Sequence, residues 1–327
     1  MNPLVTIAVV NWNGEQYIHR CLESAFAQTH RPIEVIVVDN GSTDGSREKI
    51  KARYGTACRY IDNADNRGYS PAMNQAIEAA TGEFMVQLNS DAYLQEDFIA
   101  VSLAKMLSEP RLGAVGGRVF QWDGDHLTDV LRKAEGGRYY FRKRFQVRAY
   151  ESEPRETTSF GPASCFPLLR MSMLKDVFDA TGDYFDPIFF AGWEDNDLWF
   201  RMQLRGWTCV FLPAAYGWHV GSGAAAGNTT FLTKSVQYRT RIVRNRLIII
   251  AKDLPLALLA RLLPYLAVAE VLMLPYFLIR SPSSIRAFFD GWRQFLGQWR
   301  SVWQKRRRIQ GAVKVSTDYL WGFFEEI

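Results

Sequence analysis

Over residues 4–120, short unbroken apolar runs alternate with segments whose apolar residues recur at helical spacing. Leu4–Val10, Ile33–Val38, Cys58–Ile61, Glu83–Leu88 and Gly113–Val119 are predicted strands. Stretches near 15–27, 43–54, 70–80 and 95–108 are predicted helices. Such alternation builds parallel βαβ units, an α/β sheet flanked by helices. Ser70-Pro71 is expected to open one helix, with a hydroxyl to cap free N–H groups and a proline at the first helical position. The run Leu4–Val10 has no basic lead-in and no small-residue cleavage site, so it reads as a strand and not as a secretion signal.

In sheets of this kind, ligands lie beyond the carboxyl ends of the strands, and there the polar residues gather. The first strand runs into Asn11-Trp12-Asn13-Gly14, the second into Asp39-Asn40-Gly41-Ser42-Thr43-Asp44-Gly45, and the fourth into Asn89-Ser90-Asp91. Asn, Asp and Gly end strands in most proteins, but three such clusters on one sheet edge exceed that habit. Asp91 suits a divalent metal that joins a carboxylate to a diphosphate. Asp39 suits hydrogen bonds from a base or a ribose.

Farther on, Glu194-Asp195-x-Asp197 opens a helix expected to reach about Arg205. Acids there complement a helix dipole. Beside Phe189, Phe190 and Trp193 they also suit a partly desolvated base, because burial raises carboxylate basicity. A strand at Thr208–Leu212 is expected to lead into a Gly-rich loop carrying His219, which suits a metal or a phosphate. The basic-aromatic run Arg138–Arg144 fits an acceptor-side loop, a hairpin or a solvated face, and the solvated face is the preferred reading.

From about Phe231 the texture turns helical and basic. From Lys234 to the end, 16 Lys and Arg stand against 6 Asp and Glu. On a chain total of +5, the preceding residues therefore carry a net negative charge. The basic half calls for an anionic partner: membrane lipid, a phosphorylated substrate or nucleic acid. No nucleic-acid-binding motif accompanies the Lys305–Arg308 cluster, so nucleic acid is set aside. Residues 254–279 are very apolar but interrupted by Pro255, Pro264, Pro275, Arg261 and Glu270, which favours an interfacial or re-entrant segment over a span. Ser284–Arg308 is predicted to be one helix. Its apolar stripe runs from Ile285 through Phe288, Phe289, Trp292, Phe295, Leu296, Trp299 and Val302 to Trp303. Arg286, Arg293, Arg300 and Arg307 flank that stripe, as on a helix lying among lipid headgroups. A docking face is the alternative.

Apolar residues make up 48% and charged residues 22% of the 327, which excludes general disorder. The four cysteines are far apart and read as free thiols in a reducing compartment. Neither G-x-G-x-x-G nor G-x-x-x-x-G-K-[ST] occurs, which removes the usual support for dinucleotide oxidoreductases and P-loop NTPases.

Five motifs in order carry a resemblance. They are Val5–Asn13, Val37–Gly45, Asp65-Asn66-Arg67-Gly68-Tyr69-Ser70-Pro71-Ala72-Met73-Asn74, Leu88–Ala92, and Phe189–Leu198 with Arg201, Gly206 and His219. Together they resemble the family-2 glycosyltransferases, and most nearly their bacterial rhamnosyltransferase-like branch. The resemblance covers about 1–222. It implies a GT-A type Rossmann-like mixed sheet flanked by helices, with a catalytic domain at 1–230 and a basic amphipathic helical region for membrane association at 231–327. It implies that Asp39 binds the base and that Asn11, Asn13, Asn66 and Asn74 line the nucleotide pocket, with Arg67, Gly68, Asn89 and Ser90 also at the donor. Asp91 becomes a ligand of Mg²⁺ or Mn²⁺, joined by His219. Asp195 becomes the catalytic base, supported by Glu194, Asp197 and Trp193. Asn89 stands where the general pattern has the first Asp of D-x-D, which should weaken metal binding.

The expected reaction is inverting transfer from a nucleoside-diphosphate sugar, with dTDP-L-rhamnose leading. The acceptor is a saccharide on a polyprenyl diphosphate at the cytoplasmic face of a bacterial plasma membrane. The enzyme would sit on an anionic surface, as a monomer or a homo-oligomer. A non-catalytic nucleotide-sugar-binding protein and a UDP- or GDP-sugar transferase are the alternatives. A processive synthase lacks its Q-x-x-R-W string here.

Overall fold

The computed structural model describes residues 2–132, 138–149, 155–221 and 231–325. Strands and helices alternate through β1 (Val5–Asn11), α1 (Ile18–Phe26), β2 (Ile33–Asn40), α2 (Ser46–Tyr54), β3 (Arg59–Asn63), α3 (Tyr69–Ala79) and β4 (Phe84–Asn89), as the periodicity predicts. Next come β5 (Ala92–Leu94), α4 (Phe98–Ser108), β6 (Leu112–Trp122), β7 (Leu127–Leu131), β8 (Tyr139–Arg142), β9 (Gln146–Ala149), β10 (Thr157–Ser159) and β11 (Leu168–Arg170). Then α5 (Met171–Thr181), α6 (Glu194–Leu204) and β12 (Thr208–His219) lead to α7 (Val236–Asp253), α8 (Leu256–Arg280), α9 (Ser283–Gly297), α10 (Trp299–Gly311), α11 (Thr317–Trp321) and β13 (Phe324–Glu325).

Two compact units form. The first holds 1–139, 148–176 and 207–224; the second holds 140–147, 177–206 and 225–327. Beside the helices after 230, the second unit thus draws in α6 and the loop ahead of it.

The sheet of the first unit runs β10-β12-β6-β11-β4-β1-β2-β3, with β5 on β12 and β7 on β6. β4, β1, β2 and β3 are mutually parallel, while β11 runs antiparallel to both β4 and β6, so the sheet is mixed. Every residue of β1 is buried, as expected of a strand covered on both faces. α1 buries Ile18, Cys21, Leu22 and Ala25, one stripe at helical spacing. No disulfide joins the four cysteines among the described residues, and three of them are buried.

Four expectations need correction. α3 starts at Tyr69 after a Gly68 with φ +93°, so Ser70 lies in the first turn and makes no cap bond. Glycine reaches that φ freely, and it sets the start ahead of the Ser-Pro signal. His219 ends a 12-residue strand and is not in a loop; the strand continues past Leu212 through a register shift against β6. The rest of the Gly-rich run, 222–230, lies outside the described residues. Arg138–Arg144 is not a solvated face: β8 sits between β13 and β9, with Tyr139, Phe141 and Lys143 buried. The Lys143 ammonium rests over the Tyr265 and Trp321 rings, 5.2 and 5.4 Å from their centroids.

The apolar segment is one continuous helix, α8, with Pro264 and Pro275 inside it. By length and composition it is long and apolar enough to cross a membrane. Leu256, Leu263, Val271, Leu278 and Ile279 on it are exposed. The amphipathic helix is two helices, α9 and α10, parted at Gln298 after the weak helix former Gly297. Its stripe divides lengthwise. Phe288, Phe295, Val302 and Ile309 are buried, whereas Phe289, Leu296, Trp299 and Trp303 are exposed.

Candidate active site

In the first unit, strand register assembles the polar edge. Asn11 pairs with Asp39, Asp39 with Asp62, Asn40 with Asn63, and Val10 with Asn89. Asn11 is fully buried and works as a hub. Its Nδ2 donates to Asp39 Oδ2 (2.8 Å), Ser42 Oγ (3.1 Å) and Ser46 Oγ (3.0 Å). Asn11 Oδ1 is buried and accepts nothing. Asp39, also fully enclosed, accepts from the Ser42 N–H (2.9 Å) and from Arg47 Nη2 (3.3 Å) at Oδ1. Asn13 takes a left-handed φ of 51°, donates its N–H to Ser42 Oγ (2.9 Å) and accepts the Thr43 N–H at Oδ1 (2.8 Å).

A second hub, Asn40, was absent from the expected site. Its Nδ2 donates to Asn66 Oδ1 (3.0 Å) and Gly68 O (3.1 Å), and its Oδ1 accepts the Arg67 N–H (3.2 Å). Asn40 thereby hangs the Asn66-Arg67-Gly68 turn on the end of β2. Gly41 (φ +76°) makes the junction possible: a Cβ there would lie 2.5 Å from the Asp65 backbone. Asn74 is half-buried on α3. Arg47, bridging Asp39 and Asp62, was also missed. Its signal, a lone Arg in a polar helix, differs in nothing from a surface Arg.

Asp91 and His219 meet as expected, with His219 Nε2 3.1 Å from Asp91 Oδ1. β12 brings them together, since His219 pairs with Ala92 and the Val220 N–H donates to Asp91 O (3.0 Å). Ser90 lies near Asn11: a Cβ on Gly14 would come 2.3 Å from Asn11 Oδ1 and 3.4 Å from Ser90 Oγ. Asn89 ends β4, and its backbone O accepts from Cys21 Sγ (3.3 Å). Burial and then the negative charge of Asp91 push the Tyr17 phenol above its ordinary pKa. Among the described residues no group of three or more His, Cys, Asp and Glu could hold a metal. One carboxylate and one imidazole therefore fit a hard divalent ion only if a ligand's oxygens complete its shell, as a diphosphate would.

The second unit holds Trp193, Glu194, Asp195 and Asp197. The loop ahead of α6 is strained: Phe190 and Trp193 have φ of 62° and 74°. A non-glycine residue in this region costs on the order of 1–3 kcal/mol and persists only where its surroundings enforce it. α7 enforces it here. Asn245 Nδ2 donates to Phe189 O (3.1 Å) and Gly192 O (2.5 Å), and Arg244 Nη2 donates to Ile188 O and Phe189 O (both 3.1 Å). Trp193 stacks on Phe145, which stacks on Phe200, at centroid separations of 5.9 and 5.6 Å.

The three acids separate by environment. Glu194 keeps some exposed surface, but its Oε2 is sealed and unpartnered. Burial and the adjacent Asp195 push its pKa up to about 8. Both effects bias the Glu194 carboxyl toward its protonated form. Asp195 Oδ1 accepts from Asn196 Nδ2 (2.9 Å). Asp197 is wholly buried in an ionic network: Arg201 Nη2 lies 2.5 Å away, and Lys252 pairs with both Asp197 and Asp186. Lys305 reaches Asp186 (2.7 Å) and Asp183 (2.5 Å). These cations hold Asp186 well below the usual carboxylate range, even against burial.

A profile of glycosyl transferase family 2 matches residues 6–178. The chain belongs to that family. It is 38% identical over 114 residues to a chondroitin synthase of Pasteurella multocida, covering 35% of this chain and 12% of that protein. It thus spans only a small part of that relative. It is 26% identical over 237 residues to an N-acetylglucosaminyl-diphospho-decaprenol L-rhamnosyltransferase of Mycobacterium tuberculosis, covering 66% of this chain and 75% of the other. Among solved structures, GalNAc-T7 with UDP, GalNAc and Mn2+ aligns at a TM-score of 0.59 and 13% identity, covering 76% and 47% of the two chains. An S. aureus TarS fragment aligns at 0.56 and 17%, covering 94% and 90%. The fold is the GT-A-like mixed sheet that the motifs implied.

Proposed function

We propose that the protein transfers a sugar, with inversion, from a nucleoside-diphosphate donor to a hydroxyl of a lipid-linked saccharide. L-rhamnose on dTDP is the leading donor, supported by the decaprenol-linked rhamnosyltransferase relative. The donor's nucleotide would lie over the strand ends that Asn11, Asn40 and Asp39 organise from within, where Arg47 and the half-exposed Trp12 offer a cation and a ring to a base or ribose. Asp91 and His219 would hold Mg²⁺ or Mn²⁺, which when bound would offset charge on the leaving diphosphate. Work at a cytoplasmic membrane face, with α8 and the exposed strip of α9 and α10 against anionic lipid, belongs to the same proposal.

Asp195 takes the proton of the acceptor hydroxyl as its oxygen attacks the anomeric carbon from the face opposite the departing diphosphate. The C–O bond to the acceptor forms while the bond to the diphosphate breaks, which inverts the centre. The observation that carries this role is the neighbouring Glu194. Burial and the charge of Asp195 push its carboxyl toward the protonated form, which favours a negative charge on Asp195. The test is Asp195→Asn. Turnover is expected to fall by about 10²–10⁴, with donor affinity by titration unchanged. Turnover within a few-fold of the parent would remove Asp195 from the role.

A further inference from the structure

A cavity of about 470 Å³ lies within the second unit between α7 and α9. Gln237, Arg241 and Arg244 face it from α7, and Arg286, Asp290 and Gln294 face it from α9. The spacing on each helix places these residues on one side. Three guanidiniums thus meet one carboxylate. That carboxylate is already shared, since Asp290 is 3.6 Å from Arg286 and 3.3 Å from Arg293.

The cationic wall is left unbalanced from behind as well. Arg241 sits over the Phe190 ring, 4.4 Å from its centroid, and makes no ion pair among the described residues. The acid whose field reaches it is Glu194, whose carboxyl is pushed toward the protonated form by burial and by Asp195. Arg244 is occupied by uncharged partners, the Asn245 carboxamide and two loop carbonyls. Burial pulls the pKa of both guanidiniums down, and the charge of Arg241 adds to the effect on Arg244. Two half-buried like charges of this kind are a recess that an anion would relieve.

The rim of the recess supplies the second clue. At about 100° per residue, Phe289 and Leu296 project from the sector of α9 adjoining Arg286 and Arg293. They are 57% and 60% exposed, and the exposed ridge continues through Trp299 and Trp303. A polyanion pocket thus opens beside an apolar ridge on one helix.

We infer that this recess binds the diphosphate of a lipid-linked acceptor, with the hydrocarbon chain lying along the Phe289–Leu296 ridge. This rests on the acceptor reading above and adds the place where the lipid diphosphate is held. Bidentate guanidinium–phosphate pairing is the chemistry that suits it.

Titration of the full chain with farnesyl diphosphate, inorganic diphosphate and farnesol tests the inference directly. Farnesyl diphosphate should bind, inorganic diphosphate more weakly, and farnesol not at all. Arg241→Gln with Arg286→Gln should weaken farnesyl diphosphate at least tenfold while the protein alone still melts in one cooperative transition. Asp290→Asn, which removes the competing carboxylate, should tighten it a few-fold. Equal binding of farnesol or an unchanged affinity in the double variant would each overturn the inference. A transfer assay separates this from the acceptor reading. If the parent protein uses an octyl glycoside as well as a lipid-diphosphate saccharide, the acceptor reading fails. If it discriminates and the double variant keeps the parent KM for the lipid acceptor, the acceptor reading stands and the recess is wrong.

Discussion

The strand-end site of the first unit and the acid site of the second are both polar, yet they are built on opposite plans. At the strand ends most of the work is done by neutral amides and hydroxyls, each anchored 26 to 35 residues along the chain, about one strand over: Asn11 on Asp39, Ser42 and Ser46, and Asn40 on Asn66 and Gly68. At the start of α6 the backbone is strained, and charges are held in place by Asn245, Lys252 and Lys305, from 50 to about 120 residues later in the chain. The first plan suits a surface that recognises a ligand without changing state. The second suits one that must hold a proton on one carboxyl and keep it off its neighbour, which takes buried charge and hence distant counter-charges.

The largest effect that would break this contrast is on stability. Lys252→Met strips Asp186 and Asp197 of a buried partner and should cost about 3–5 kcal/mol in chemical denaturation. A loss below about 1 kcal/mol would mean that the network is dispensable. Next comes Gly41→Ala. The left-handed φ alone costs about 1–2 kcal/mol, and the collision with the Asp65 backbone adds to it. The same variant should weaken nucleotide affinity by moving the Asn66-Arg67-Gly68 turn, so unaltered nucleotide titration would detach that turn from the donor.

A further test sharpens the comparison through pH. The Glu194 pKa is raised from its ordinary 4.5 to about 8 in the folded chain. Its contribution to stability is therefore full below about pH 4.5 and is lost as pH rises through about 8. Glu194→Gln removes that titration. Relative to the parent, the variant should gain stability between pH 5 and pH 9, as read from denaturation midpoints at the two values. Identical slopes in parent and variant would show that Glu194 ionises normally.

What could be read from the chain follows the same division. The parallel strands and their Asn/Asp ends were legible because apolar run length and turn chemistry are local, and because parallel register aligns strand ends without further instruction. The pairing of Asp91 with His219 was legible only through the motif resemblance, and the extension of β12 that creates it was not, because a register shift carries no periodic signature. The different surroundings of Glu194, Asp195 and Asp197 were out of reach. All three acids stand in one helical turn, and only the positions of Lys252, Arg241 and Asn245 tell them apart. The aromatic stripe after 284 was legible as a stripe, but its lengthwise split into a buried and an exposed half depends on where α7 packs.

Lys305 is a single ammonium on α10, yet it grips both Asp183 and Asp186 in the loop that leads to the proposed base. The tail is therefore no detachable tether. Shortening the chain before α10 would slacken the loop around Asp195 at the same stroke as it removed any hold on lipid. Attachment to a bilayer and competence for chemistry would vanish together, and point changes to outward-facing Phe289 or Leu296 are the way to pull them apart.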